Sequence, residues 1–272
     1  MCIRDRCSKA IDVVKAIRSP IFGITTIGSI FDRDEIPHHI LLKLSKSISE
    51  LKFARLWIAE SRADIILEAY EDDRLGDIIS SLGHVKLSVG IGLESYNDDV
   101  REKCIHKGCS TRTYIKAFNV LKSLGVYTTA YVLLKPPFLT ESEAIEDTTS
   151  STIWALENGA DLVIIMPLRV YEGTMVGDLY KKGLYKPVWC WSIIEVINRL
   201  SKIGTKNFLI KGYFTVPLTN IHMRGCSECV STVVNLVMLW NLTKDFTLID
   251  DVLAQYSCNC IDKWREELDY ED

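Results

Sequence analysis

The sequence predicts an α/β fold in which a parallel sheet curls into a barrel or partial barrel. Three observations lead there. Apolar, β-rich runs alternate with amphipathic helical stretches along the chain, at lengths that suit strand–helix units. Each helical stretch is long enough to return the chain for another strand in the same direction. The runs also stop abruptly in charged, glycine or proline residues, most clearly within residues 86–139, where one ends at Glu94-Ser95-Tyr96-Asn97 and the next at Lys135-Pro136-Pro137. In parallel α/β architectures such strand ends are where ligands sit. A doubly wound open sheet is the second choice.

Residues 1–9 are short, charged and without clear periodicity, and are read as a non-native, adapter-derived segment joined to an incomplete gene; a natural frayed terminus is the alternative. Residues 10–17 fit the end of an amphipathic helix. The β-branched run 20–30 then suits a strand buried on both faces, ending in Gly28-Ser29. Residues 36–51 carry apolar side chains at helical spacing, with Pro37 in the first turn, where a missing N–H costs nothing.

The unit repeats. Strand 54–59 ends at Glu60-Ser61-Arg62 and a helical segment runs to about 82; strand 85–93 ends at Glu94, and helix 112–124 closes at Gly125. Strand 126–134 ends at Lys135-Pro136, helix 141–157 closes at Gly159, and strand 161–166 ends at Pro167. Helix 191–203 and a last strand near 208–213 complete a main domain set at 10–215. Residues 216–272 form a helical, cysteine-bearing appendage with an acidic end.

Composition sets the bounds. The 272 residues are 47% hydrophobic and 25% charged, with a formal net charge of −4. That is ordinary globular composition without a global basic field, so nucleic-acid contact needs a local patch or a partner that carries it. No run approaches the roughly 20 apolar residues of a membrane span, and a cytosolic protein is expected. Nine cysteines in a reducing compartment favour metal ligation over disulfides.

Four of them fall in two close pairs, Cys226-Ser227-Glu228-Cys229 and Cys258-Asn259-Cys260. Each pair supplies two thiolates from one turn, which fits a closed, structural tetrahedral site. Zinc is the first choice there and an iron–sulfur cluster on the same ligands the alternative. Cys104 and Cys109 lack such pairing and read as structural. GIGLES offers a G-x-G, but inside a strand, so a dinucleotide fingerprint fails on context. The lysines at 181, 182 and 186 read as a solvated face.

In a parallel barrel, Gly28, Ser29, Glu60, Arg62, Glu94 and Lys135 share the C-terminal face of the sheet. Carboxylates there can accept from ribose hydroxyls and an ammonium, and a cation can pair with a carboxylate, which suits a zwitterionic, ribose-bearing ligand. Surface ion pairs Glu60–Arg62 and Glu94–Lys107 are the plainer alternative.

Several segments resemble a known family: ITTIGSIFDRDEIP (24–37), IAESRADI (58–65), VGIGLESYNDDVREKCIHKG (89–108), AYVLLKPPFLTESEAIED (130–147), EGTMVGDLYKKGLYKPVWCWSIIEVI (172–197) and the paired cysteines followed by IDKWREEL. They are similar to the archaeal radical S-adenosylmethionine (SAM) proteins of archaeosine biosynthesis, within the elongator-type radical SAM group. The resemblance implies a partial (β/α)₆ barrel, a [4Fe–4S] cluster whose free iron binds SAM, and a 5′-deoxyadenosyl radical. It further implies a tRNA substrate bearing a lysine-modified 7-deazaguanine, radical cleavage of the lysine C–N bond, and a transglycosylase-like partner subunit. By the same resemblance Gly28, Ser29, Glu60 and Glu94 correspond to SAM contacts, Lys107 to a partner of the SAM carboxylate, and Lys135 to the next strand end.

The chain departs from the family in two places. The cluster motif C-x₃-C-x₂-C does not occur in it, so the first βα unit is expected to be missing and the polypeptide to be an inactive fragment. A histidine usual just before the first C-terminal cysteine is replaced by Arg224-Gly225. Two other functions remain: a cluster-free binding or scaffold subunit of a tRNA-modifying complex, and another radical SAM reaction on tRNA. In-frame upstream sequence separates truncation from natural loss.

Overall fold

The computed structural model describes residues 3–211 and 223–271, excepting the side chains of 253–255 and 269–271. Cys2, His222, the predicted strand end at 212–213 and the predicted domain boundary at 215/216 lie outside the described residues. Among those described, six parallel strands are ordered β1-β2-β3-β4-β5-β6. A doubly wound sheet reverses its strand order at a switch point, and this order never reverses. It is the partial-barrel topology expected from the sequence.

The chain divides into two compact units. The first comprises Met1–Leu93, Cys109–Ala130 and Asn158–Asp161; the second comprises Glu94–Gly108, Tyr131–Glu157 and Leu162–Asp272. In the first unit, α1 (Ile3–Ile17) takes in most of the segment read as non-native, followed by β1 (Ile21–Gly23), α2 (His38–Ser49), β2 (Leu56–Glu60), α3 (Ala63–Glu71) and α4 (Arg74–Ser81). β3 (Lys86–Glu94) follows, and α6 (Thr111–Ser123) leads into β4 (Tyr127–Leu134). β2 pairs with β1 from Leu56↔Ile21 to Ile58↔Gly23, and with β3 from Leu56↔Lys86 to Glu60↔Gly90.

Two expectations for this unit need correction. The strand predicted over 20–30 and buried on both faces is only Ile21–Gly23, and Ile21 is 53% exposed. Among the described residues β1 has a strand neighbour on one side alone, and a β-branched run looks the same at an edge as in the middle of a sheet. The single helical segment predicted after β2 is two helices, separated at Asp73, whose φ of +61° places it in the left-handed region and breaks the helical path.

The second unit holds α5 (Asp98–Val100), a π-helical turn (Arg101–Ile105), α7 (Glu141–Glu157), β5 (Leu162–Pro167), α8 (Met175–Lys181), α9 (Cys190–Lys202), β6 (Phe208–Ile210), α10 (Ser227–Thr243), α11 (Thr247–Gln255) and α12 (Asn259–Glu271). The π turn and α8 had no sequence prediction. β5 and β6 pair in parallel from Val163↔Phe208 to Ile165↔Ile210. Fully buried Trp191, Trp240 and Phe208 anchor this core, each contributing on the order of 2–3 kcal/mol by area.

Helix α7 packs against α9 and β5 through hydroxyl-bearing side chains as well as apolar ones. Buried Thr149 and Thr152 donate to the carbonyls of Ile145 and Thr148, each at 2.8 Å, which satisfies the hydroxyls inside the helix. No helix among the described residues is long and apolar enough to cross a membrane.

Candidate functional site: strand ends and a four-cysteine centre

In the first unit the chain after β1 is fastened to the end of β2. The Ile30 N–H donates to the Glu60 carbonyl at 3.0 Å, and the Arg62 N–H donates to Ser29 Oγ at 3.0 Å. The Ser29 N–H donates to Glu35 Oε1, also at 3.0 Å. The carboxylate also crowds Gly28, where a Cβ would lie 1.8 Å from that same oxygen and would displace the Glu35 side chain. Gly28, Ser29 and Glu60 thus meet at one strand-end junction. Arg62 makes a two-point contact with Asp64, at 3.0 and 2.8 Å, and reaches Cys109 Sγ at 3.4 Å. Arg62 also forms a salt bridge with Asp64.

In the second unit Glu94, at the end of β3, has φ +66°, and Lys135, just after β4, has φ +62°. Left-handed backbone at a non-glycine residue is uncommon and concentrates where structure over-determines it. Lys107 Nζ donates to Glu94 Oε1 at 2.7 Å, with both side chains about one-fifth exposed. The ion pair that the sequence offered as the plainer alternative for these two residues is therefore present.

Lys135 lies in a different setting. Its ammonium is 2.7 Å from Glu141 Oε2, a carboxylate with no exposed surface. The same carboxylate accepts from the Trp189 N–H at 2.8 Å, Ser192 Oγ at 2.5 Å and Arg224 Nη2 at 2.8 Å. Arg224 also donates to both oxygens of Glu267, at 2.7 and 2.8 Å, and lies over the Trp189 ring. Burial opposes ionisation of Glu267, but hydrogen bonds from Arg224 and Trp189 outweigh it and hold its carboxyl below the usual range. Sequence reasoning missed Glu141, Arg224 and Glu267 as a network. Its trace was the pair of segments KPPFLTE and KGLYKPVW, which contribute Lys135, Glu141 and Trp189.

Two residues beyond Arg224 begins the cysteine centre. Cys226, Cys229, Cys258 and Cys260 bring their sulfurs within 4.8 Å of one another, as the two pairs predicted. Gly225, at φ +146°, lets the chain pass Cys190, whose sulfur a Cβ at this position would approach to 2.9 Å. Cys226 caps α10, its sulfur accepting from the Cys229 N–H at 3.5 Å, and its own N–H donates to Cys260 Sγ at 3.1 Å. Hydrogen bonding from Cys229 brings the Cys226 thiol down to about 7, while burial pushes Cys229 and Cys260 up.

The spacing constrains what the centre can hold. A single ion with metal–sulfur bonds of about 2.3 Å sets its thiolates roughly 3.8 Å apart, and Cys226 Sγ and Cys258 Sγ are 3.9 Å apart. A four-iron cluster is larger than one ion and needs its thiolates farther apart. The donor set therefore fits one thiophilic ion. Cys104, Cys109 and Cys190 are buried and do not join a metal-binding group among the described residues. Burial raises the thiol of each, that of Cys190 to about 12.

No family model matches the chain. An archaeosine synthase subunit beta from Methanosarcina acetivorans is 29% identical over 263 residues, covering 95% of this chain and 72% of that protein. The subunit of the same name from Thermococcus kodakarensis is 27% identical over 263 residues, covering 94% and 77%. Among solved structures, the archaeal Methanocaldococcus infernus Elp3 with an N-terminal deletion superposes with a TM-score of 0.60 at 19% identity. The chain is similar to archaeosine synthase β subunits over nearly its whole length, and it shares its parallel half-barrel fold with the Elp3 structure. It spans 58% of the Elp3 structure's length, and 87% of its own residues take part in that match. An uncharacterized Methanocaldococcus jannaschii protein is 29% identical over 260 residues, covering 95% of this chain and 68% of that protein.

Proposed function

We propose that this chain has a radical SAM-related role in archaeosine formation on tRNA, in partnership with a second, transglycosylase-like subunit. The observation that supports it most is similarity to two archaeosine synthase β subunits across 94–95% of the chain. The full reaction of this reading is cleavage of the lysine C–N bond in a lysine-modified 7-deazaguanine. Gly28, Ser29, Glu60 and Glu94 are the proposed SAM-facing residues, with Lys107 holding the Glu94 side chain and available to a ligand carboxylate. Lys135, its ammonium held by Glu141, contributes to the shape of its strand end. Residues 10–215 are the proposed SAM-binding part and residues 216–272 the metal-bearing appendage, in a cytoplasmic protein.

The [4Fe–4S] cluster that such chemistry requires does not fit the cysteines of this chain. The motif C-x₃-C-x₂-C is absent from the 272 residues, and the four-thiolate group is spaced for one ion. No radical step is therefore assigned to these residues. The four-cysteine centre is assigned zinc in a structural role, since all four positions are thiolates and none is left open.

One experiment tests both assignments. The purified chain is analysed for metal and then, after anaerobic iron–sulfide reconstitution, for SAM cleavage. Expected are about one zinc per chain, no four-iron absorption and no 5′-deoxyadenosine, together with SAM binding that Glu94→Ala weakens. An undiminished affinity in that variant removes Glu94 from the site. A full-length relative that carries C-x₃-C-x₂-C, supplied with partner subunit and lysine-adduct tRNA, is expected to form archaeosine; a different modified base would favour another tRNA reaction.

A further inference from the structure

Within the second unit, the cysteine centre and the end of β4 are joined by side chains that leave little slack. Cys260, Trp264 and Glu267 fall at i, i+4 and i+7 of α12, along one face of the helix. The Trp264 indole N–H donates to Ser192 Oγ at 2.9 Å, and Ser192 Oγ donates to Glu141 Oε1 at 2.5 Å. Glu267 receives two guanidinium nitrogens of Arg224, at 2.7 and 2.8 Å, and the Trp189 indole N–H at 3.0 Å. Arg224 also reaches Glu141 Oε2 at 2.8 Å. Two side-chain routes thus run from one face of α12 to the same carboxylate, which holds the Lys135 ammonium at 2.7 Å.

The main chain supplies a third route. Arg224 stands two residues before Cys226, its N–H donating to the Val188 carbonyl at 2.8 Å and its carbonyl accepting the Cys190 N–H at 2.9 Å. The Cys226 N–H in turn donates to Cys260 Sγ at 3.1 Å.

Lys135 and Arg224 against Glu141 and Glu267 make a neutral set of four charges, with the Glu141 side chain fully buried and that of Lys135 5% exposed. If Glu267 is withdrawn, two cations share one carboxylate. An uncompensated charge at a buried site is costly, and opening of the strand end relieves it. What keeps Trp264 and Glu267 in place is the register of α12. Cys258 and Cys260 stand at its start, facing Cys226 and Cys229 at the start of α10 with all four sulfurs within 4.8 Å. Thiol hydrogen bonds are weak, whereas bonds from four thiolates to one ion fix both helix starts at once.

We propose that metal occupancy of the four-cysteine centre governs the order of the β4 strand end: the ion sets the register of α12, and Trp264 and Glu267 pass that register to Glu141 and Lys135. The inference rests on the assignment of a metal to the four cysteines and extends it from a local structural role to control of a distant strand end. Three of the four, Cys226, Cys258 and Cys260, are only partly buried, so the ion is within reach of a chelator.

The test is hydrogen–deuterium exchange of the full chain, zinc-loaded and after stripping with EDTA in reducing buffer. Amides of 131–141 are expected to exchange about 10-fold faster in the stripped chain, with β5 unchanged. The double variant Trp264→Phe/Glu267→Gln is expected to bind zinc and to show exchange at 131–141 that no longer depends on it. Coupling is reciprocal, so Glu141→Gln is expected to weaken zinc binding about 5-fold in competition with a chromophoric chelator. Zinc-dependent exchange confined to 223–230 and 256–267 overturns the inference and leaves the metal assignment standing. Zinc dependence that survives in the double variant, or faster exchange that includes β5, also overturns it. A chain that binds no zinc overturns both. Should Glu141→Gln fail to fold by circular dichroism, the double variant decides.

Discussion

Two buried carboxylates on α7, Glu141 and Asp147, are less than two turns apart and are treated in opposite ways by the surrounding chain. Glu141 receives an ammonium, a guanidinium, a hydroxyl and a backbone N–H, so both oxygens are satisfied and the charge is neutralised where it lies. Asp147 receives one hydroxyl and keeps a buried oxygen without a protein donor. The first arrangement ties the end of β4 to the turn that carries the cysteine centre, through Lys135, Glu141 and Arg224. The second leaves a buried carboxylate oxygen with no donor among the described residues. Burial alone therefore does not assign a role to an acidic residue; the count of donors does.

The sharpest way to break this comparison is Glu141→Ala. It leaves Lys135 and Arg224 each short of a buried carboxylate partner, and a cost of about 3–5 kcal/mol is expected in urea denaturation of the metal-loaded chain. A loss under about 1 kcal/mol would show that the network relaxes easily and that the contrast with Asp147 is overstated.

Asp147→Asn has the next largest expected effect, and of opposite sign. The folded-state carboxyl, at about 6, lies above its unfolded value of 3.8, so the folded state holds the proton more tightly. The contribution of this carboxyl to stability is then greatest below the unfolded pKa and is lost as pH rises from about 4 through about 6. Ser95 and Arg101 face this carboxyl and favour its charge, and burial outweighs both. The amide cannot ionise, so the variant should be more stable than wild type by roughly 3 kcal/mol at pH 7, with little difference at pH 4. Denaturation midpoints at the two pH values check it; a variant less stable at pH 7 contradicts the reading.

Lys107→Ala should have the smallest effect. Its pair with Glu94 is partly exposed, and a loss of about 0.5–1 kcal/mol is expected. A change in SAM affinity larger than that would separate a ligand-binding role for Lys107 from a merely structural one.

Much of the fold was legible because the chain repeats one physical pattern. β3 (Lys86–Glu94) is a continuous apolar run of the kind that parallel sheets bury, and α6 (Thr111–Ser123) lies within one residue at each end of the helix its periodicity predicts. β1 was overextended, since β-branched residues mark extended backbone but not the number of neighbouring strands. The π turn at Arg101–Ile105 carries no period of its own, and buried Arg101 donates to the Ser95 carbonyl at 2.5 Å and to Asp98. The cysteine centre was readable because two short-spaced pairs each present two thiolates from one turn. The Glu141 network was not, because its members come from four separate segments and each alone looks like a surface charge.

By itself the sequence determined the alternation of strand and helix and the four thiolates, because these depend on local periodicity and short spacing. Tertiary structure alone decided that the thiolates close to single-ion distance, that Lys135 is held by Glu141, and that one oxygen of Asp147 has no donor among the described residues. Those outcomes depend on which distant groups arrive to satisfy a buried charge, and no local pattern encodes that.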